Sequence, residues 1–429
     1  MAAAIQPTEH VASYYAATAN EQTDYPILRG SVSADICIVG AGFTGVATAL
    51  NLAERGYSVA VVEANRVGWG ASGRNGGQLI AGGLGESKFA ARYGDGIADM
   101  LWEMHWRGND IICDRVKKHA IDCDLKFGYI EVALRQRHID DFHEQCEAFE
   151  RNDFPYEYRL VPRDELPDIV GTSAYIGGLI NMRNGHLHPL NLCIGEAQAA
   201  ESLGVKFFEQ SPVTRIEHGP RPRVVTVTGH VEAGTVVLAG NAYHALERKH
   251  LSGLTFPAGS YIIATEPLGP AVTQRINPQD LAVCDMNEVV DYYRMSADGR
   301  LLFGGRCNYS GRDPSSIRRT LMPRMIKIYP ELANARIEYE WGGKIGIVVN
   351  RIPLLGRIND NVYYSQGYSG HGVNGTHIAA EIIADAIGGT LERFDLFAKI
   401  NHFRVPLGQW FGNQMVALGM IYYRLRDLM

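Results

Sequence analysis

The stretch "ADICIVGAGFTGVATALNLAERGYSVAVVEA" (34–64) leaves this part of the chain little choice of local fold. Asp35 to Val39 leads through an apolar run to a glycine, which suits a strand buried on both faces. Val46, Ala49, Leu50 and Ala53 then recur at i, i+3, i+4 and i+7, placing them on one face of a helix. Gly56 follows the helix, Val59–Val62 makes a second buried strand, and the unit closes on Glu63. This is the order of a nucleotide-binding βαβ unit. Gly40, Gly42 and Gly45 form its G-x-G-x-x-G: the first for the tight turn, the second for close approach to a pyrophosphate, the third for helix-strand packing. Phe43 and Thr44 open the helix whose N-terminus faces that pyrophosphate. Glu63, 18 residues beyond Gly45 and next to Ala64, can accept hydrogen bonds from ribose hydroxyls.

Just beyond that acid lies "GWGASGRNGGQLIAGG" (68–83), a loop very poor in side chains. Glycine reaches positive φ at little steric cost and lets backbone come close to another group. The segment is therefore expected to lie against a ligand.

With 429 residues, 46% of them hydrophobic, the chain can bury more than one core, and two domains are expected. A formal charge of −6, from 47 acids against 41 Lys and Arg, provides no basic footprint for a phosphate backbone, so no nucleic-acid partner is expected. The seven cysteines are scattered and never in CxxC spacing, which fits neither a disulfide framework nor a zinc site and points to a cytoplasmic protein. No apolar stretch approaches the ~20 residues of a transmembrane helix. His186 and His188 in "GHLHP" have no third ligand nearby, and no metal is expected.

Further along, residues 91–165 turn helical and charged around an alternating "KFGYIEVAL". Residues 166–250 return to α/β patterning, with a helix near 190–203 and a buried strand running to Gly240. From 251 to 345 short alternating strands dominate, and "NVYYSQGYSGHGVNGTHIAAEIIADAIGG" adds a last strand, glycine loop and helix. The expected domains are an N-terminal arm (1–33), a nucleotide-binding domain in three pieces (34–90, 166–250, 346–429), and an inserted α+β domain on an antiparallel sheet (91–165, 251–345). A nucleotide domain completed from distant segments favours FAD over NAD, because the longer flavin cofactor is commonly wrapped end to end.

These motifs resemble the D-amino-acid-oxidase superfamily of flavoproteins, and the expected fold is the Rossmann-like FAD domain of that superfamily with its inserted substrate domain. Within it, "EHVASYYAATAN" (9–20), "GASGRNGGQL" (70–79) and "GYSGHGVNGT" (367–376) are similar to the bacterial gamma-glutamylputrescine oxidase family, over nearly the whole chain. The resemblance implies oxidation of a cationic primary amine, with molecular oxygen as acceptor and no dedicated catalytic base, since the flavin carries the chemistry. It implies that Ala71, Ser72, Asn75, Gly76 and Gly77 run along the flavin, and that Val213 and Gly240 flank the cofactor. Gly370, Gly372, Val373 and Asn374 would direct N–H groups at the pyrimidine end, with His371 either joining them or packing. Arg74 has three candidate roles: a phosphate counter-ion, a wall of the substrate cavity, or an ion pair with a structural carboxylate.

Two departures from the sarcosine-oxidase pattern follow. Gly346 stands where those enzymes have their flavin-linking cysteine, which implies non-covalent FAD. Asn374 stands where they have a carboxylate-binding lysine, which implies a substrate whose carboxylate is remote, and makes Asn374 a candidate substrate residue with Tyr293 and Trp341. A sibling enzyme acting on a free amino acid would share every cofactor motif, and a flavoprotein without catalytic turnover is a third reading. The C-terminal "QWFGNQMVALGMIYYRLRDLM" is amphipathic and is expected to pack on the protein's own body rather than on a membrane.

Overall fold

The structure, a computed structural model, describes residues 9–405 except 244, 288 and 309–312. The C-terminal amphipathic segment lies outside the described residues. Two sheets organise the rest. In the first, strands follow the order Leu354–Asn359, Val362–Gln366, Gly229–Leu238, Gly30–Val39, Val59–Val62, Lys206–Phe208. Its central pairings are parallel, with Ile38 beside both Val237 and Val61. Parallel strands need crossover helices, and these bury both faces. On one face Ile36, Ile38 and Val61 pack under the helices Phe43–Glu54, Pro189–Ser202 and Gly372–Ile387, while Cys37, Ala60 and Val236 point into a second core.

The second sheet has nine strands and is antiparallel except where Ala282–Asp285 runs alongside Lys126–Ala133. It includes Gly177–His186 and the short Gln78–Leu79. Both differ from the expected boundaries, which assigned 34–90 and 166–250 wholly to the nucleotide domain. The chain crosses between sheets inside those stretches, and Gly177–His186 joins its sheet by antiparallel pairing with two distant strands, a non-local contact that periodicity does not register. Among the described residues no helix is long and apolar enough to cross a membrane.

The arm is strapped to the first sheet by one buried acid. Glu209, with a fully buried side chain, accepts from the N–H groups of Val67 (2.7 Å) and Tyr25 (3.2 Å), the Thr23 hydroxyl, and Arg66 Nη1 at 2.9 Å.

Candidate functional site

Four adjacent parallel strands open at their C-terminal ends onto one cleft, where open α/β sheets bind ligands. Val39 and Gly40, Val62 and Glu63, Ala239 and Gly240, and Tyr368 to Gly370 all line it. Strands lie about 4.8 Å apart, so the three steps across these four span roughly 14 Å. The cleft encloses about 1450 Å³ counting its open mouth. It is long enough for an extended ligand.

At the glycine turn, Gly40 adopts φ +108°. Gly45 has no room for a side chain: a Cβ there would stand 1.8 Å from the carbonyl oxygen of Gly40. The Phe43–Glu54 helix has no side-chain cap of its own at Gly42. Ser72 Oγ instead accepts from the Phe43 N–H at 2.9 Å, which draws the 70–77 loop over the helix N-terminus. The remaining first-turn N–H groups and the helix dipole make an anion site.

Glu63 accepts from the N–H of Ala41 through Oε2 (2.7 Å) and of Asn65 through Oε1 (2.8 Å). Burial raises its carboxyl above the ordinary range, and these two backbone hydrogen bonds oppose that rise. A carboxylate has about four acceptor positions. The Asn65 side chain also engages this carboxylate, and what acceptor capacity remains is available to a ligand's hydroxyls.

The loop that closes the other side is held by polar side chains. Asn75 Nδ2 donates to the carbonyls of Ala71 (3.1 Å) and Ser72 (2.9 Å), and its Oδ1 accepts from Gly77 N–H at 2.8 Å. Asn241 Oδ1 accepts from Gly367 N–H at 2.9 Å, and the Tyr368 hydroxyl is 2.9 Å from Thr44 Oγ1. Together they tie the last glycine loop to the first.

Of the expected cofactor residues, Gly40, Gly42, Phe43, Thr44, Glu63, Ala64, Ala71, Ser72, Asn75, Val213, Gly240, Gly370, Gly372 and Val373 line the cleft. Gly45, Arg74, Gly76, Gly77, His371 and Asn374 do not. Gly76 and Gly77 are glycines for the protein's sake: Cβ atoms there would stand 2.5 Å from the ring of Tyr292 and 2.2 Å from the carbonyl oxygen of Leu187. The Arg74 guanidinium lies over the Trp69 ring at 4.2 Å, donates to Trp69 O (2.7 Å), and has an idle Nη2. It forms no ion pair among the described residues. The ring of His371 turns away from the cleft, against Gly83.

The three expected substrate residues are placed elsewhere. Tyr293 is buried in the core on the far side of the second sheet, its hydroxyl 3.2 Å from that of Tyr175 and its ring stacked on Phe303. Side chains alternate along a strand, so its neighbour Tyr292 is the one that faces the 70–77 loop. Trp341 is buried against Tyr15 and donates from Nε1 to Arg74 O at 3.0 Å. Asn374 donates to Asn109 Oδ1 at 2.8 Å, packed where the helix Gly372–Ile387 crosses the helix Ala98–Lys118. It stands in the first turn of its helix, and its side chain points to the partner helix rather than along the loop, so Asn374 is committed to helix packing. Sequence reasoning missed Trp69, Asn241, Tyr243 and Ile345 as cleft residues, and placed Gly346 beside the flavin only through the resemblance. Only the position of Asn241, directly after a buried strand and glycine, carried a signal.

His186 Nε2 lies 2.8 Å from Asp280 O, and His188 Nδ1 accepts from Asn191 N–H at 3.1 Å as a helix cap, so both imidazoles serve the fold.

The family model described as FAD dependent oxidoreductase (DAO) matches residues 35–386. The chain is 40% identical over 422 residues to gamma-glutamylputrescine oxidoreductase of Escherichia coli (strain K12), covering 98% of this chain and 99% of that one. It is 25% identical over 392 residues to the sarcosine oxidase subunit beta of an Arthrobacter species, covering 85% and 91%. Glycine oxidase from Geobacillus kaustophilus shares the fold with a TM-score of 0.70 at 20% identity, over 86% of this chain and 100% of that one. A family match running from the first buried strand into the helix Gly372–Ile387, on a chain whose glycine turn, acid and closing loop meet at one cleft, shows that the protein belongs to the DAO family of FAD-dependent oxidoreductases.

Proposed function

We propose that the protein oxidises the primary amine of gamma-glutamylputrescine, or of a related gamma-glutamylated polyamine, with FAD held non-covalently in the cleft. The observation that carries this reading is the 40% identity, over 98% of the chain, to the Escherichia coli oxidoreductase of that name. The residues fit the cofactor. Glu63 would hold the adenosine ribose, the Ser72-capped helix N-terminus the pyrophosphate, and Asn241, Gly346, Gly370 and Gly372 the flavin end. A Cβ on Gly346 would stand 2.3 Å from Asn241 Oδ1, which supports the absence of a side-chain link at this position.

FAD, when bound, would supply a two-electron acceptor for the hydride of the carbon bearing the amine, with dioxygen as the terminal acceptor, reduced to hydrogen peroxide. The protein binds the amine in its neutral form and orients that C–H bond. Water adds to the resulting imine, and ammonia leaves to give the aldehyde. Anaerobic mixing of the purified holoenzyme with a substrate panel tests the proposal. Gamma-glutamylputrescine should bleach the flavin fastest; faster bleaching by sarcosine, pipecolate or a D-amino acid would replace the reading with that of an amino-acid enzyme, and bleaching by none would leave a flavoprotein without amine turnover.

A further inference from the structure

The arm that carries "EHVASYYAATAN" (9–20) supplies nothing to the cleft directly, since none of residues 9–28 lines it. It fastens instead the loop 66–77, which gives Trp69, Gly70, Ala71, Ser72 and Asn75 to the cleft wall. Five of the twelve residues of that loop are glycine. Glycine loses more conformational freedom on ordering than any other residue, so a loop of this composition keeps a binding conformation only when contacts from outside supply the order. The arm makes such contacts at three points.

The first is Glu9. Its backbone carbonyl accepts from the Trp69 indole N–H at 3.0 Å, and its carboxylate accepts from Arg66 through Nε and Nη2, each at 3.0 Å. The second is Tyr15, which is fully buried. Its hydroxyl accepts from Arg294 Nη2 at 3.2 Å, and Nε of the same guanidinium donates to Gly76 O at 2.9 Å. Its ring meets Trp341 edge-on with centroids 5.3 Å apart, and Trp341 Nε1 donates to Arg74 O at 3.0 Å. One tyrosine thus stands behind two loop carbonyls. The third is formed by the Thr23 hydroxyl and the Tyr25 N–H, which donate to Glu209, the buried carboxylate that also accepts from the Val67 N–H at 2.7 Å and Arg66 Nη1 at 2.9 Å.

Glu209 carries the arm's influence to Glu63 as well. Beyond the ends of their strands the two segments go on pairing: Glu63 N–H donates to Phe208 O at 2.8 Å, Ser211 N–H to Glu63 O at 2.8 Å, and Gln210 N–H to Asn65 O at 2.9 Å. Glu209 stands in the middle of this ladder, and Glu63, Asn65, Pro212 and Val213 around it line the cleft. A buried carboxylate that lost the two arm donors would be left short of hydrogen bonds at the ladder's centre.

Resting on the reading of the cleft as the FAD site, we propose that the N-terminal arm is a cofactor-retaining brace. Glu9, Tyr15 and Thr23 are positioning residues that act through Trp69, Gly76 and Val67 to hold the cleft wall in its binding conformation, so that arm docking and FAD binding strengthen one another. Linkage makes the coupling reciprocal: whatever factor the docked arm adds to FAD affinity, bound FAD adds to the docking of the arm. An arm that merely packed on the fold would show neither effect.

The test strips FAD from the full chain and titrates it back, with flavin fluorescence as the readout. Thr23→Val and Tyr15→Phe each remove one hydroxyl from the arm's hold on the loop without altering a cleft residue, and each should raise the Kd for FAD about fivefold or more. Tyr293→Phe, which removes a buried hydroxyl from the far core, controls for a general loss of stability and should leave that Kd within about twofold of the parent's. Hydrogen exchange reads the reciprocal effect: the amides of residues 13–28 should exchange more slowly in the holoenzyme than in the apoprotein, by a similar factor. An unchanged Kd in either arm variant, a rise that Tyr293→Phe matches, or arm exchange that FAD does not alter overturns this inference alone. A parent apoprotein that takes up no FAD overturns the reading of the cleft and the inference with it.

Discussion

Glu63 holds the backbone with the carboxylate that, on the proposed reading, would also bind the cofactor ribose. Its two oxygens already accept from Ala41 and Asn65 N–H groups. Replacing it by Gln turns one acceptor into an NH2 that faces a backbone donor, so the turn itself is disturbed as well as the ribose contact. A charge-assisted hydrogen bond contributes about 1.5–3 kcal/mol, so Glu63→Gln should weaken FAD binding by about tenfold to hundredfold, read by fluorescence titration of the apoprotein. Equal affinity in variant and parent would remove Glu63 from the site. The two tyrosines of "DYYRM" give a sharper contrast. Tyr293→Phe loses its hydroxyl contact with Tyr175 in a closed core, and should cost about 1 kcal/mol of stability with unchanged turnover. Tyr292, whose hydroxyl lies 3.3 Å from Ser260 Oγ and whose ring edges Gly76, faces the loop beside the cofactor. Tyr292→Phe should change kcat/KM for the amine while leaving the melting temperature within about 2 °C, since the ring is only half-buried and Phe keeps its packing. Altered kinetics in the Tyr293 variant instead would reverse this assignment.

Four helices meet at one buried acid. Glu196 on Pro189–Ser202 has a fully buried side chain and faces Arg115 Nη1 at 2.7 Å and His377 Nε2 at 3.1 Å, while Arg115 Nη2 reaches Ala47 O and Asn51 Oδ1 on the first crossover helix. Burial alone would raise its carboxyl, but His377 and Arg115 hold it down at about 2. Glu196→Gln strands the Arg115 charge away from water, and breaking a buried pair in this way costs about 3–5 kcal/mol. A loss below about 1 kcal/mol in urea titration would show that the network relaxes around the change. Nothing in the sequence singled out Glu196, because its partners come from three distant helices. Legible in the sequence was what is local: the turn Gly40–Gly45, its helix, the acid Glu63 and the last glycine loop, all set by chain neighbours and a period of 3.6 or 2. The phase of an element against its distant partners was not. Tyr293 differs from Tyr292 by one step of a strand, and Asn374 turned to Asn109 rather than to the cleft, because the second sheet and the Ala98–Lys118 helix decide those orientations.

Across the protein as a unit, the arm, the second sheet and the 70–77 loop converge on Arg294. This guanidinium is 2% exposed and donates to Gly76 O (2.9 Å), Leu187 O (2.9 Å), Met295 O (3.0 Å) and the Tyr15 hydroxyl (3.2 Å), with no carboxylate among these partners. A buried, uncompensated positive charge makes its surroundings hostile to further protons. Two histidines stand beside it. Burial first, and Arg294 second, lower His186 to about 4 and His188 to about 3. Geometry agrees: His188 Nδ1 must stay unprotonated to accept from Asn191, leaving Nε2 to donate to Thr18 Oγ1 at 3.1 Å on the arm. In the unfolded chain both titrate near 6.5. Above about 6.5 both states are neutral at these sites and stability is full. As pH falls below that value the unfolded chain binds protons that the native protein refuses, so stability declines progressively towards pH 4 and 3, by up to about 1.4 kcal/mol per pH unit for each histidine. Glu196, depressed from its ordinary range, adds a loss in the same direction only below about pH 4.5. Elsewhere His402, lowered to about 4, adds to this loss, while Asp285, raised to about 7, opposes it, so the difference between variant and parent isolates the junction. His188→Asn keeps an acceptor for the Asn191 N–H and removes one titrating group, so in urea unfolding at saturating FAD between pH 6.5 and 4.5 its stability should fall by up to about 1.4 kcal/mol per pH unit less than the parent's. A variant with the parent's full slope would mean that this imidazole is not held neutral and that the junction around Arg294 admits water.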